Sequence, residues 1–280
     1  MRRILSGLIP FKYPSHHAGG RCVVRMKDNE SDIGVGLLHE MTITGRKVGA
    51  DRAFYAELAQ NEKLFEQVVQ LVISKDCTPT TSQERACEIM GKNFFGIREA
   101  VKRFRVNPTQ EQLNALAKIP FSEEVLEQAK DTHVLVAVFP LSIIKIRAKA
   151  RELFCQQEIA WWDDESFAKE RGEVGWHLVR KTPIDKSTSR NWQEQQTTLP
   201  KNDEVPTARV MVYTIIGHCL ATGERLFKSG YVRTSSVDFD GHRVHVGDFG
   251  SLGLCIYHHW GNYCSYDLGV TSARKSGIVF

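Results

Sequence analysis

The feature of this sequence that most constrains its fold is a change in the spacing of its apolar residues. From Asp51 to about residue 130 they recur at helical intervals, as in "DRAFYAELAQNEKLFEQVVQLVIS". After residue 224 they form only short runs bounded by Gly, Asp or Asn, as in "HRVHVGDF" and "LCIYHH", which is typical of strands. Helices followed by short strands predict an α+β protein.

Several elements between these halves carry clear boundary signals. The β-branched run "THVLVAVFP" predicts a buried strand that Pro140 ends. Ser122 and Asn191 are predicted helix N-caps. The segment "TARVMVYTIIGHCLATG" predicts a helix with Pro206 in its first turn and Gly223 as its C-cap.

The same patterns divide the chain into three parts. Residues 1–50 mix short β-type runs with Gly, Asp and Asn, which predicts either strands or an irregular lead-in. Residues 51–130 are predicted to be a mostly helical module. Residues 131–280 are predicted to be a separate domain, since 280 residues suffice for two modest domains.

Charge and apolar run length exclude some partners. The net charge of +4 is mild, and the basic clusters at 102–105 and 145–151 lie in helix-like stretches, so we expect solvated helix faces and no nucleic-acid partner. No stretch approaches the roughly 20 apolar residues of a membrane span, so none is predicted.

The cysteines and the N-terminus bear on the compartment. The seven cysteines are mostly scattered and include no CxxC pair, which favours free thiols in a reducing environment. Pro10, Lys12 and Pro14 interrupt the short apolar run at the N-terminus before it reaches the length of a signal-peptide core. We therefore expect a cytoplasmic protein.

The stretch "GLCIYHHWGNYCSYDLG", residues 253–269, has an unusual composition rich in His, Cys and Tyr. Cys255, His258, His259 and Cys264 offer ligand atoms for zinc or copper. In a strand, however, Cys255 and His259 would share one face and His258 would lie on the other, and the spacing matches no common structural zinc site. The spacing therefore predicts no metal, and we expect no cofactor and no catalytic residue.

An apolar framework recurs between residues 242 and 270 with the spacing of core strands. We predict that it is the scaffold of this segment, and it consists of Val244, Val246, Phe249, Leu254, Trp260, Leu268 and Val270.

The residue types missing from this segment are informative. From Val244 to Thr271 there is no Lys, Glu, Gln, Met or Arg. Apart from Trp260, every residue there can be encoded by a codon that ends in a pyrimidine. Such a bias is left when asparagine codons are rewritten at their adenines.

Several longer stretches also resemble a known family. They include "PFSEEVLEQAKDTHVLVAVFPLSI", "FAKERGEVGWHLVRKTPI", "STSRNWQEQQTTLP" and "PTARVMVYTIIGHCLATGERLF", and the closing "YVRTSSVDFDGHRVHVG...LGVTSARKS". Over residues 85–280 the chain is similar to variable proteins diversified by diversity-generating retroelements, of the type found in ultra-small uncultivated bacteria. The resemblance implies a C-type-lectin-like fold, related to that of the formylglycine-generating enzyme, for residues 131–280.

The resemblance also implies which positions bind a ligand. In such proteins a fixed scaffold displays a variable, exposed patch, here about residues 241–270. The implied ligand-binding positions are His242, His245, Asp248, Gly250, Leu252, Cys255, Tyr257, His258, His259, Asn262, Tyr263, Cys264, Ser265, Tyr266 and Asp267.

The leading hypothesis is therefore a non-enzymatic protein that binds an unidentified macromolecule, most readily another protein, through a diversified surface. Tyr and His supply large contact area with few rotors, a mixture also favoured in antibody binding loops. One alternative is a metal-dependent oxidase of the formylglycine-generating type that uses Cys255 and Cys264. Another is an interaction module that acts through the helical residues 51–130.

Overall fold

The structure is a computed structural model that describes residues 35–75, 79–156 and 158–275. The chain divides into two compact units, residues 1–61 and residues 62–280. None of the described helices is long and apolar enough to cross a membrane.

In the first unit the described residues form two helices, α1 (Val35–Lys47) and α2 (Arg52–Gln60). The Asp51 side chain caps α2 by accepting a hydrogen bond of 2.8 Å from the Phe54 amide. The prediction of an irregular lead-in or strands is wrong for residues 35–47, and residues 1–34 lie outside the described part. The β-branched run "TIT" at 42–44 is typical of strands, but the Thr42 hydroxyl donates to the Leu38 carbonyl within the helix.

The second unit contains mostly short helices. They are α3 (Glu62–Lys75), α4 (Thr81–Met90), α5 (Ile97–Phe104), α6 (Gln110–Leu116), α7 (Glu123–Ala129), α8 (Ile143–Lys149), α9 (Ser166–Lys169), α10 (Trp192–Gln196) and α11 (Ala208–Thr222). Ser122 and Asn191 cap α7 and α10, and Gly223 ends α11 in the left-handed conformation, as predicted. The N-cap of α11 is Thr207, so Pro206 precedes the helix instead of lying in its first turn.

The strands of the second unit form two sheets. They are β1 (Phe94–Phe95), β2 (His133–Val138), β3 (Gly175–Arg180), β4 (Asp203–Glu204), β5 (Tyr231–Val237), β6 (Arg243–Gly250), β7 (Gly253–His259), β8 (Leu268–Val270) and β9 (Ala273–Arg274). One sheet has the order β1-β2-β3-β9-β4 and the other the order β7-β6-β5-β8. The β1–β2 and β5–β8 pairs are parallel, and the other pairs are antiparallel. These elements confirm the α+β class.

Helix α11 lies at the centre of the core. Its residues from Ala208 to Cys219 are all buried, and it packs against β2 of one sheet and against β5 and β6 of the other. The Tyr213 ring lies 4.6 Å from that of Phe104 on α5 and 6.1 Å from that of Phe95 on β1. The core is therefore built around a helix whose apolar residues face every direction.

The predicted boundary near residue 130 does not separate two cores. One continuous cluster of buried apolar side chains runs from Ala86 on α4 to Ala273 on β9. The Trp176 indole of β3 donates a hydrogen bond of 2.9 Å to the carbonyl of Leu116, at the end of α6. The helices from α4 to α7 therefore share one core with the sheets.

Candidate functional site

The candidate site is built on the β6–β7 hairpin. His245 pairs with Tyr257, and Val246 pairs with Ile256. Because successive side chains of a strand point to opposite faces, the hairpin buries Val246 and Ile256 completely while Tyr257 is exposed.

Most of the predicted scaffold is buried. Val244, Val246, Phe249, Leu254, Leu268 and Val270 are at most 2% exposed. Trp260 is the exception, since 62% of it is exposed, and its assignment to the scaffold is wrong. It follows the last residue of β7, where sheet pairing has ended, and its ring lies beside His242 with 3.8 Å between ring centroids.

The predicted binding positions fall into three groups. The exposed ones are Asp248, Leu252, Tyr257, His259, Asn262, Tyr263, Cys264 and Tyr266. The half-buried ones are His242, Gly250, His258, Ser265 and Asp267. His245 and Cys255 are buried, which corrects the prediction that they lie on the exposed patch. They occupy central positions of β6 and β7. The rings of Tyr231 and His259 pack against His245, and Cys155 lies beside Cys255.

Several of these residues line one pocket of about 430 Å³. Its lining residues are Tyr231, His245, Tyr257, His258, His259, Tyr263, Asp267 and Leu268. The pattern of the sequence did not single out Tyr231, which enters the pocket from β5. Its proximity depends on the pairing of β5 with β6, which has no local sequence signal.

The aromatic side chains that line the pocket contact one another. The His259 ring stacks on Tyr263 with 4.0 Å between centroids and on His245 with 5.2 Å. The Tyr231 ring makes edge-to-face contacts with His245 and Tyr257, with 5.1 and 5.9 Å between ring centroids. The pocket therefore presents packed aromatic surface whose side chains restrict one another.

His245 and His259 have lowered pKa values and are neutral at physiological pH. Burial lowers the pKa of His245 to about 3, and the nearby His259 adds to this effect. Burial also lowers the pKa of His259, as does the neighbouring His258. Because neutral imidazoles can both donate and accept hydrogen bonds, these residues suit a polar ligand better than an anionic one.

The buried side chain of Arg233 holds the loop from Trp260 to Asp267 in place. This fully buried guanidinium donates to the carbonyls of Arg190 (3.1 Å) and Tyr263 and to the side-chain oxygen of Gln195 (2.9 Å). The Trp192 amide donates to the Gly261 carbonyl at 2.8 Å. The loop is therefore preorganised, which lowers the entropic cost of binding.

A second cluster lies next to the pocket. The Asp238 carboxylate contacts Nδ1 of both His242 and His258, and Asp238 is 6% exposed. Burial opposes ionisation of Asp238, but hydrogen bonds from His258 and His242 hold its pKa below the usual value. The opposite orientations predicted for His258 and His259 are consistent with their contacts, since His258 stacks on Trp161 while His259 stacks on Tyr263.

The two cysteines considered as oxidase ligands have different environments. Burial and the adjacent Cys155 raise the pKa of Cys255 to about 12, so this thiol is protonated at neutral pH and a poor nucleophile. Cys264 is exposed in the loop. The cysteines at 87, 155, 219, 255 and 264 are free thiols, whereas Cys22 and Cys77 lie outside the described residues.

Comparisons of the chain with protein-family models, with curated proteins and with solved structures found no match.

Proposed function

We propose that this chain is a non-enzymatic binding protein whose C-terminal surface recognises a protein ligand and is diversified in sequence. The observation that carries the proposal is the separation of roles along the hairpin and its following loop. The apolar framework is buried, apart from Trp260, whereas eight of the fifteen predicted binding positions are exposed. Three of these exposed residues, Tyr257, His259 and Tyr263, line the pocket.

The composition of the exposed surface favours a protein ligand. Tyr266 is 84% exposed, Trp260 62%, and Phe239 in the turn after β5 92%. Large exposed aromatic residues are costly in water and are enriched at the centres of protein interfaces. The preorganised loop adds support, because a rigid paratope pays less entropy on binding.

The C-type-lectin-like character of residues 131–280 belongs to the same proposal. It is supported by the α+β architecture and by a buried framework that displays an exposed patch near the C-terminus. An experimental structure compared with lectin-type domains tests this part on its own.

The oxidase alternative is less favoured. Its two cysteines differ strongly, since Cys255 is buried with a raised pKa and Cys264 is exposed. Action through the helices is a further alternative, for which the exposed Phe54 on α2 and Phe65 on α3 offer apolar surface.

A randomisation experiment tests whether the exposed positions tolerate substitution without loss of folding. In one library the exposed positions Tyr257, His259, Asn262, Tyr263 and Tyr266 are randomised together, and folding is scored by protease resistance on a display platform. We expect most variants to fold, because surface substitutions away from special features change stability little. The matched library randomises the buried Val244, Val246, Leu254 and Ile256, and we expect it to be mostly unfolded. Equal losses in the two libraries would contradict the proposed division of roles.

The diversification itself is tested in DNA. We expect an adenine-rich near-copy of the segment that encodes residues 241–270, together with a reverse transcriptase gene, close to the coding sequence. Sibling genes should share the apolar framework and differ between its members. Flanking DNA that has neither feature would contradict diversification, and it would not bear on the division between buried framework and exposed surface, which the two libraries test.

A further inference from the structure

We infer that Asp238, His242 and His258 form a binding site for a divalent first-row transition-metal ion such as zinc. One ligand atom from each residue can be chosen so that all three atoms lie within 4.8 Å of one another. This inference departs from the sequence-based expectation of no metal, and it does not depend on the proposed ligand-binding function.

The three residues come from separate points of the C-terminal sheet. Asp238 follows β5, His242 precedes β6, and His258 is near the end of β7. The backbone holds the first two together, because the Asp238 amide donates to the His242 carbonyl at 3.1 Å and the His242 amide donates to Asp238 Oδ1 at 2.8 Å. The β6–β7 pairing, in which Val244 lies opposite His258, brings the third residue to them.

The ligand atoms converge. Nδ1 of His242 lies 2.9 Å from Oδ2 of Asp238, and Nδ1 of His258 contacts the same oxygen. Two imidazoles and one carboxylate are a ligand set used for zinc and for non-haem iron, and such sets leave further positions for water or a ligand.

The second ring nitrogen of His242 bears on the tautomer that a metal requires. Nε2 of His242 is buried and has no hydrogen-bond partner within the described part of the chain. If neutral His242 donates from Nδ1 to Asp238, Nε2 is left as a bare buried acceptor, which costs free energy. A metal at Nδ1 places the proton on Nε2 instead. The Trp260 ring lies next to the imidazole, with 3.8 Å between centroids and 82° between planes.

The orientation of His258 is also fixed in advance. Its ring stacks on Trp161 with 4.2 Å between centroids and 18° between planes. Trp161 is held in turn, because its indole donates a hydrogen bond of 2.9 Å to the Ile256 carbonyl. Groups that orient a ligand side chain in this way raise metal affinity.

A metal at this site would join the β5–β6 turn to β7. His258 also lines the pocket, so the ion would stabilise the end of the sheet that carries the candidate site. We therefore expect the full-length chain to melt at higher temperature when zinc is present, because a ligand that binds only the folded state stabilises it.

The test uses the full-length chain after dialysis against a chelator. Zinc binding is measured by calorimetry, and cobalt is used as a coloured substitute for zinc. We expect about one ion per chain, and at least about tenfold weaker binding for Asp238→Asn and His258→Gln. His39→Gln is the control, since this exposed histidine on α1 is outside the cluster and outside the candidate site, and it should bind zinc as the wild type does.

X-ray absorption at the zinc edge of the wild-type chain gives a readout that does not require the variants to fold. We expect nitrogen and oxygen neighbours only, with the multiple scattering that imidazoles produce. Sulfur neighbours would overturn the inference and direct attention to Cys155 and Cys255. Absence of zinc and cobalt binding by the wild type, wild-type affinity in a folded His258→Gln chain, or an equal loss in His39→Gln would also overturn it.

Discussion

At the scale of single residues, Arg233 connects the scaffold to the exposed loop through hydrogen bonds of its side chain. Its buried guanidinium reaches three acceptors, which lie on residues 190, 195 and 263. Lysine cannot reproduce this fork, because its ammonium is a compact charge without planar donors. We predict that Arg233→Lys lowers the free energy of unfolding by about 2–4 kcal/mol, measured by urea denaturation.

The matched control for this substitution is Arg98→Lys on α5, whose side chain is exposed. It should change the free energy of unfolding by less than about 0.5 kcal/mol. An equal and small effect of the two substitutions would show that the contacts of Arg233 do not stabilise the fold.

His245 makes stability depend on pH. Its pKa is lowered to about 3 in the folded chain, by burial first and by His259 and Arg233 further, whereas an unfolded histidine titrates near 6.5. The unfolded state therefore binds a proton between these values that the folded state does not, so His245 lowers stability as pH falls through about 6.5.

We predict that His245→Gln removes this contribution. The loss of unfolding free energy between pH 7 and pH 5 should be smaller in the variant by about 1–2 kcal/mol. Urea denaturation at the two pH values measures the difference within each protein, so a general destabilisation by Gln cancels. Identical pH dependence in the two proteins would contradict a buried neutral His245.

At the scale of elements, Gly253 fixes the geometry of the β6–β7 hairpin. Its φ of 105° is unfavourable for residues with a side chain. A Cβ there would lie 2.6 Å from the carbonyl carbon of Phe154 and 2.8 Å from the Cys155 amide nitrogen, and both are backbone atoms that cannot move aside. We predict that Gly253→Ala costs about 2–4 kcal/mol of unfolding free energy, measured by denaturant titration.

Gly250 on the same hairpin is the matched control. A Cβ there has no neighbour closer than 4.0 Å, so Gly250→Ala should cost less than about 1 kcal/mol. This difference also bears on the proposed function, because Gly250 was assigned to the variable positions and Gly253 was not. A large cost at both glycines would be evidence against a variable position at 250.

Local signals in the sequence predicted many of the elements. The β-branched run of β2, the caps Ser122 and Asn191, and the glycine that ends α11 each depend on neighbouring residues. The sequence does not predict the helix α1, because its β-branched residues are typical of strands and its two glycines are unfavourable inside a helix.

The candidate site could be predicted only where alternation along one strand decides the answer. Alternation placed the buried framework valines and leucines correctly, but it failed for Trp260, which lies beyond the last pairing of β7. Asp238 was overlooked because its partners are 4 and 20 residues away along the chain. Tyr231 was overlooked for the same reason, since strand pairing and not sequence proximity brings it to the pocket.

At the scale of the whole molecule, the two ends of the chain contribute very differently. The continuous core begins at Ala86, whereas the C-terminal strands β8 and β9 belong to different sheets. β8 pairs with β5, and β9 lies between β3 and β4. The last described residues therefore connect both sheets of the second unit.

These contributions predict opposite results for two truncations. Residues 62–280 alone should fold and keep a cooperative thermal transition, because they include the whole continuous core. Residues 1–266 should not fold, since they lack β8 and β9. The lost contacts include the hydrogen bond of 3.0 Å that Gln195 Nε2 donates to the Leu268 carbonyl and the 2.8 Å ion pair between Arg274 and the buried Asp203. They also include the hydrogen bond of 2.7 Å from Ser272 to the same carboxylate.

Circular dichroism and two-dimensional NMR of the two fragments measure the outcome. Deleting one strand from each sheet leaves unpaired backbone groups and exposed apolar faces. We expect the free energy lost in this way to exceed the unfolding free energy of a typical domain, about 5–15 kcal/mol. A folded 1–266 fragment would mean that β5 and β3 are stable as sheet edges, and the C-terminal strands would then be dispensable. An unfolded 62–280 fragment would contradict the prediction that the continuous core is sufficient for folding.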